Sequence, residues 1–205
     1  VPVLNLPRDR LLESWPIQGP LAILDLEFTC WEGSLGRNWS GPDEWREVVD
    51  IGCMIVDAAD FAPGPRGYSA LVRPIRSPHV SAYFENLTGI TQARIDAEAV
   101  TFPVALDGLS RFLADIALVI HNGGDGEILR ENCQFAGIAE PPVVARTANI
   151  RPLLGRSLEV GREKLVSSRL PELAGLPAPA NAHTALDDCR SIASALAEWR
   201  RAGRI

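Results

Sequence analysis

The stretch LAILDLEFTC, Leu21–Cys30, decides the fold. Leu21, Ala22, Ile23, Leu24, Leu26 and Phe28 form the near-continuous apolar run of a strand buried on both faces. Asp25 and Glu27 interrupt it. In a strand, residues i and i+2 point to the same side, so both carboxylates project together from a rigid element. Two neighbouring carboxylates in apolar surroundings repel and are poorly solvated, and they take up protons unless a cation lies between them. Mg²⁺ and Mn²⁺ prefer carboxylate oxygens, often with substrate phosphate oxygens completing the shell. The plainer alternative is an edge strand with a solvated polar face, and D-x-E alone does not decide between them.

Before this strand, Pro2, Pro7, Pro16 and Pro20 mark residues 1–20 as an irregular arm. After it, CWEGSLGRNWSGPDEW (30–45) reads as a loop, and EVVDIGCMIVDA (47–58) as a second, β-branched strand. FAPGPRG (61–67) reads as a turn and YSALVRPI (68–75) as a third strand, so the short links predict an antiparallel meander. The period then changes. In FPVALDGLSRFLAD (102–115), Val104, Leu106, Leu109, Phe112 and Leu113 make a helical stripe. IALVI (116–120) reads as a short buried strand, GEILRENCQFAG (126–137) as a helix, and PVVARTANI (142–150) as a fifth strand. Residues 151–176 look helical with a break at Pro171, and 184–203 form an amphipathic helix with Ile192, Leu196 and Trp199 on one face. The order predicts an α/β domain: a mixed five-stranded sheet, three antiparallel strands then alternating strands and helices, flanked by helices.

The bulk numbers narrow the function. A chain of 205 residues suits one domain, and 46% hydrophobic against 22% charged residues favours a full core over disorder. A formal net charge of −6 argues against coating nucleic acid by bulk electrostatics, while leaving room for a local basic groove. Cys30, Cys53, Cys133 and Cys189 form no C-x-x-C pair, which speaks against a disulfide framework or structural zinc and for reduced thiols in the cytoplasm. No apolar run reaches membrane-spanning length, so no membrane partner is expected. Arg146, Arg151, Arg156, Arg162, Lys164 and Arg169 outnumber Glu159 and Glu163, and such a segment could track a nucleic-acid backbone or simply be a solvated face. Trp31, Trp39 and Trp45 could stack on bases, though packing of their loop is the simpler role.

Two further acidic positions extend the pattern. Asp125 follows ALVIHNGG, at a strand exit where sites in α/β sheets tend to form; its simpler role is a helix cap. His183 precedes Asp188 by five residues at the entry of the last helix. The helix dipole accounts for an acid there but not for the histidine. D-x-E…D…H-x-x-x-x-D has a chemical rationale: four carboxylates can hold two divalent ions about 4 Å apart around a scissile phosphate, and a neutral His can take a proton from the attacking water.

On LDLEFT, Asp125 and HTALDD, the chain resembles the DEDDh 3′–5′ exonucleases, which have a ribonuclease H-like fold. DLEFTCWE, EVVDIG, LVRPIRSPHVSAYFENLTGIT and LDDCRSIA make it most like the Eri-like exoribonucleases and bacterial sporulation-inhibitor-type exonucleases. The resemblance spans about Leu21–Ala197 and implies a 1–20 arm followed by a single exonuclease domain, 21–205. It implies Mg²⁺ or Mn²⁺, two ions per site, on Asp25, Glu27, Asp125 and Asp188, with Asp25 bridging. His183 would be the general base and also contact substrate. Asp187 would be a non-ligand neighbour, Thr29 would contact the terminal nucleotide, and Leu87 and Thr88 would line the pocket for the last base. The implied partners are single-stranded RNA or DNA 3′ ends, RNA favoured, with nucleoside 5′-monophosphates released. One departure is HNGGDGEIL: Gly124 stands where relatives carry an aromatic, and a shifted alignment would nominate Glu127 in place of Asp125. The rival functions are a DNA-directed exonuclease of the same chemistry and a non-catalytic regulator that keeps the fold as a binding surface.

Overall fold

In a computed structural model of the chain, residues 19–178 and 184–205 are described. Most of the expected arm, and His183, therefore lie outside the described residues. The strands are β1 (Pro20–Phe28), β2 (Val48–Asp57), β3 (Pro63–Leu71), β4 (Val119–His121) and β5 (Thr147–Asn149). The helices are α1 (Ser34–Arg37), α2 (Ala82–Thr88), α3 (Gln92–Glu98), α4 (Phe102–Phe112), α5 (Asp125–Phe135), α6 (Pro142–Ala145), α7 (Arg151–Leu158), α8 (Leu170–Leu173) and α9 (Ala185–Arg201). The strands form one mixed sheet of order β3-β2-β1-β4-β5. β1–β2 and β2–β3 pair antiparallel, whereas β1–β4 and β4–β5 pair parallel.

β1 is central, which explains its composition. Leu21 and Ile23 pack on one face with Ile192, Leu196 and Trp199 of α9. Ala22, Leu24 and Leu26 pack on the other with Leu106 and Leu109 of α4 and Ile128 and Leu129 of α5. By the strand period, Asp25 and Glu27 continue the α9 face. At its carboxyl end that face thus changes from apolar to acidic. There the first turn of α9 crosses the sheet.

That crossing depends on Gly52, the register partner of Asp25. A Cβ on Gly52 would stand 2.1 Å from the backbone carbonyl carbon of Ala185. No side chain fits, and the contact lets α9 lie directly on the strand. Two polar devices fix the same end. Buried Asp50 accepts from the Ala185 amide at 3.1 Å, and Thr184 and Asp187 form a reciprocal cap: the Thr184 hydroxyl accepts from the Asp187 amide at 3.2 Å and lies 2.8 Å from its carboxylate.

Three boundaries differ from expectation. FAPGPRG is not the turn: Asp57 and Asp60 close it by accepting from the Ala59 and Ala62 amides at 2.8 Å, and β3 already runs from Pro63. β3 is the sheet edge, where proline is tolerated because one side needs no ladder bond. PVVA is helical, and the fifth strand shrinks to Thr147–Asn149. The fourth strand begins at Val119, after the turn that closes α4. On α4 Leu106 and Leu109 are buried, as is Leu113 just past its end, but Val104 is 56% exposed and leaves the stripe to Phe102 and Ala105. The 30–45 segment, read as a loop, is packed and contains the single-turn helix α1. Trp39 donates to the Thr29 carbonyl at 2.9 Å and lies tilted against Phe28, and Trp45 stands edge-on to Phe135 with Arg76 over both rings.

Candidate active site

Asp25 and Glu27 from β1 and Asp188 from the first turn of α9 meet at the carboxyl end of the central strand. One carboxylate oxygen from each lies within 4.8 Å of the others. Asp125, the first residue of α5, follows the exit of the neighbouring parallel strand β4 and is 6% exposed. Its charge bears on Asp25, Glu27 and Asp188 alike. Glu127 turns away: its side chain is 61% exposed and pairs with Arg46 at 3.6 Å. Asp125 and not Glu127 therefore faces the cluster. A Cβ on Gly124 would meet nothing within 4 Å, so the space beside this position is open.

Burial and mutual repulsion leave these carboxylates with charge that a cation would offset. Burial, then Asp125, Asp188 and Glu27, push the Asp25 carboxyl well above the usual range, against a hydrogen bond from Ser167. Burial, then Asp188, Asp50 and Asp125, do the same to Glu27. Asp188 is raised from 3.8 to about 7 by burial first, then by Asp187 and Asp125. One Asp188 oxygen, Oδ1, is buried and accepts no hydrogen bond. A set of hard carboxylate oxygens with an orphaned acceptor fits Mg²⁺ or Mn²⁺.

This has a measurable consequence for stability. The native pKa of Asp188 lies above its unfolded value, so between pH ~4 and ~7 the native state holds more protons than the unfolded chain. The contribution is unfavourable and grows as pH rises through that window. Metal-free Asp188→Asn should therefore be more stable than wild type at pH 8, by roughly 2–4 kcal/mol, with no gain at pH 4. Thermal unfolding in EDTA at both pH values checks this. Mn²⁺ should stabilise wild type at pH 8 and do little for the variant.

Other assigned residues take different places. Thr29 is 1% exposed; its hydroxyl donates to the Trp45 carbonyl and accepts from the Glu47 amide at 3.0 Å. That hydroxyl gives its one proton to the Trp loop. The Thr88 hydroxyl is likewise spent, donating to the Phe84 carbonyl at 2.9 Å and accepting from the Ile90 amide at 3.1 Å. Leu87 is 41% exposed on α2, and Tyr83, one turn earlier on the same face, is 43% exposed. The Ser81 hydroxyl ties the start of α2 to the Cys30 carbonyl at 2.5 Å, three residues past Glu27. Asp187 serves the helix cap and pairs with Arg190. Four residues around the cluster carry no motif of their own: His121, whose Nδ1 is 3.3 Å from Asp125, together with Asn122, Arg151 and Ser167. His121 and Asn122 open the HNGGDGE stretch that leads to Asp125, and Arg151 lies in the basic segment, so part of this set was visible in the sequence.

A mixed sheet in this order, with acids converging at the ends of β1, β4 and the last helix, defines a nuclease fold of the ribonuclease H-like class. A family model described as Exonuclease (RNase_T) matches residues 22–196, and the chain belongs to that family. It is 25% identical to the human 3′-5′ exoribonuclease 1 over 182 residues, 84% of this chain and 50% of that protein. It is also 25% identical to the Drosophila melanogaster 3′-5′ exonuclease Snipper over 222 residues, 97% of this chain and 75% of that protein. The chain thus spans half the length of the human relative. Among solved structures, the nuclease domain of 3′hExo, a DEDDh family member bound to rAMP, superposes with a TM-score of 0.76 at 23% identity, covering 91% of this chain and 94% of that one. Among the described residues no helix is long and apolar enough to cross a membrane.

Proposed function

We propose that this chain is a metal-dependent 3′–5′ exonuclease acting on single-stranded 3′ ends, RNA favoured, and releasing nucleoside 5′-monophosphates. The observation that carries the reading is the convergence of Asp25, Glu27 and Asp188 within 4.8 Å, with Asp125 adjoining. Asp25, Glu27 and Asp188 would hold one ion, and Asp25 and Asp125 a second. Bound there, Mg²⁺ or Mn²⁺ would acidify the attacking water and stabilise charge on the phosphorus oxygens.

The chain's own residues supply the rest. β1 holds Asp25 and Glu27 rigid, so the carboxylates need little reorganisation. His183, two residues before α9, would accept the proton of the attacking water. Tyr83 and Leu87 offer an exposed aromatic and aliphatic pair one turn apart, suited to stacking on the terminal base. The acidic cluster and a net charge of −6 suit a site that engages one strand end rather than a protein that coats a polyanion. Preference for RNA rests on the likeness to the exoribonuclease relatives and requires the 2′-OH to be read.

Matched RNA and DNA single strands, incubated with Mn²⁺ and analysed for small products, test this. The expected products are nucleoside 5′-monophosphates, with RNA consumed faster. Faster DNA consumption would make the enzyme DNA-directed. Short oligonucleotide products without mononucleotides would exclude an exonuclease.

A further inference from the structure

Arg151 opens α7 directly after β5, at the carboxyl end of the parallel half of the sheet. It lies in the basic segment, but its guanidinium is directed inward rather than into solvent. Nη2 donates to the Asn122 carbonyl, and Nε lies 3.4 Å from Asn122 Oδ1. Asn122 passes the restraint on. Its amide donates to the Leu165 carbonyl at 3.0 Å and to the Ser167 hydroxyl at 3.2 Å, and Ser167 stands beside Asp25, whose ionised form it favours. A hydrogen-bonded chain thus runs from Arg151 through Asn122 to Ser167, which stands beside Asp25.

The cation also faces the acids directly. A Cβ on Gly123 would stand 3.1 Å from Arg151 Nη2 and 3.4 Å from Asp125 Oδ2, so guanidinium and carboxylate flank the same point. Only a residue without a side chain leaves that gap clear. Asp125 and Asp25 act on the Arg151 charge. Among the described residues, nothing accepts a hydrogen bond from Nη1.

The charge balance says what that free edge is for. Four carboxylates offset two divalent cations, and the ligands then leave the phosphodiester's own charge uncompensated. That negative charge increases as the phosphorus gains a fifth oxygen. Guanidinium is the side chain whose planar fork matches phosphate oxygens.

Resting on the exonuclease reading above, we infer that Arg151 is the phosphate-contacting cation of this centre, held by Asn122 and Gly123 so that its free edge meets the substrate phosphate on the Asp125 side. The arrangement has a counterintuitive consequence. A fixed positive charge beside Asp125 and Asp25 opposes metal binding. Removing it should tighten metal binding while slowing the reaction. A merely structural arginine would weaken both.

Mn²⁺ titration by calorimetry and oligonucleotide kinetics on the full chain separate the two cases. Arg151→Met should bind Mn²⁺ roughly threefold to tenfold more tightly and lose roughly thirtyfold or more in kcat/KM. Arg151→Lys keeps the charge but not the fork: Mn²⁺ affinity should stay at the wild-type level, with KM for the oligonucleotide raised. If Arg151→Met does not fold, the lysine variant decides alone. Unchanged or weaker Mn²⁺ affinity in Arg151→Met, or an unchanged KM in Arg151→Lys, overturns the assignment. Wild-type protein that binds no Mn²⁺ and digests nothing instead overturns the exonuclease reading, and this inference with it.

Discussion

Asp25→Asn should lower exonuclease turnover at least a thousandfold and leave the protein folded and more stable in EDTA at pH 8. The two effects have one cause. Asp25 is buried, and three further carboxylates face it. Its ionised form is therefore costly in the empty fold and is repaid only when a cation is bound. The amide is nearly isosteric, keeps an acceptor for the Ser167 hydroxyl and carries no charge. Asp25 is the deeply buried carboxylate facing Asp125, Asp188 and Glu27 together, and an amide there would remove one charge from the centre of the set. Activity lost together with stability would mean that the carboxylate serves the fold; activity retained would remove Asp25 from the chemistry. Circular dichroism melting beside a timed digest distinguishes these results.

Gly52→Ala should be the most damaging single-methyl change in the molecule. The added Cβ would overlap the Ala185 backbone at 2.1 Å, and backbone cannot rotate aside as a side chain can. The first turn of α9 would have to lift off β2. That lift disturbs the hydrogen bond from Ala185 to Asp50, the seat of Cys189 against the Ile23 and Gly52 carbonyls, and the packing of Ile192 on the sheet. The expected cost is roughly 3 kcal/mol or more. Function should fall as well, because the same turn carries Asp188 to Asp25 and Glu27. Residual folded protein should therefore bind Mn²⁺ more weakly than wild type. A variant with unchanged melting temperature and unchanged Mn²⁺ affinity would show that the close contact does not set the position of α9.

The sheet's centre was legible in the sequence and its edges were not, for a physical reason. β1 is buried on both faces, so its apolar run stands out, and the two carboxylates within it are conspicuous against that run. β3 and β5 are edge strands. Edges accept proline and glycine and can be very short, so PGPRG read as a turn and PVVA as strand. Helix α9 was plain because Ile192, Leu196 and Trp199 repeat with the helical period and all bury.

The same contrast holds for the site. Asp25, Glu27 and Asp188 were found because strand period and helix entry place them. Asp125 was preferred to Glu127 on alignment alone; both lie in the first turn of α5, and the structure adds the direction of each side chain. Thr29 and Thr88 carry hydroxyls whose partners are backbone groups that no motif reveals. Asn122, Arg151 and Ser167 are joined by contacts across 29 and 45 residues, and no periodicity encodes such a link.

The central claim is that the acidic end of β1 is the metal-dependent centre of an enzyme that works inward from a 3′ end. A 5′-labelled single-stranded RNA, followed over time with Mn²⁺ and with EDTA, tests it most directly. The expected result is a ladder of 5′-labelled products that shortens one nucleotide at a time with Mn²⁺ and no cleavage in EDTA. Immediate release of labelled mononucleotide, or equal digestion in EDTA, would contradict it.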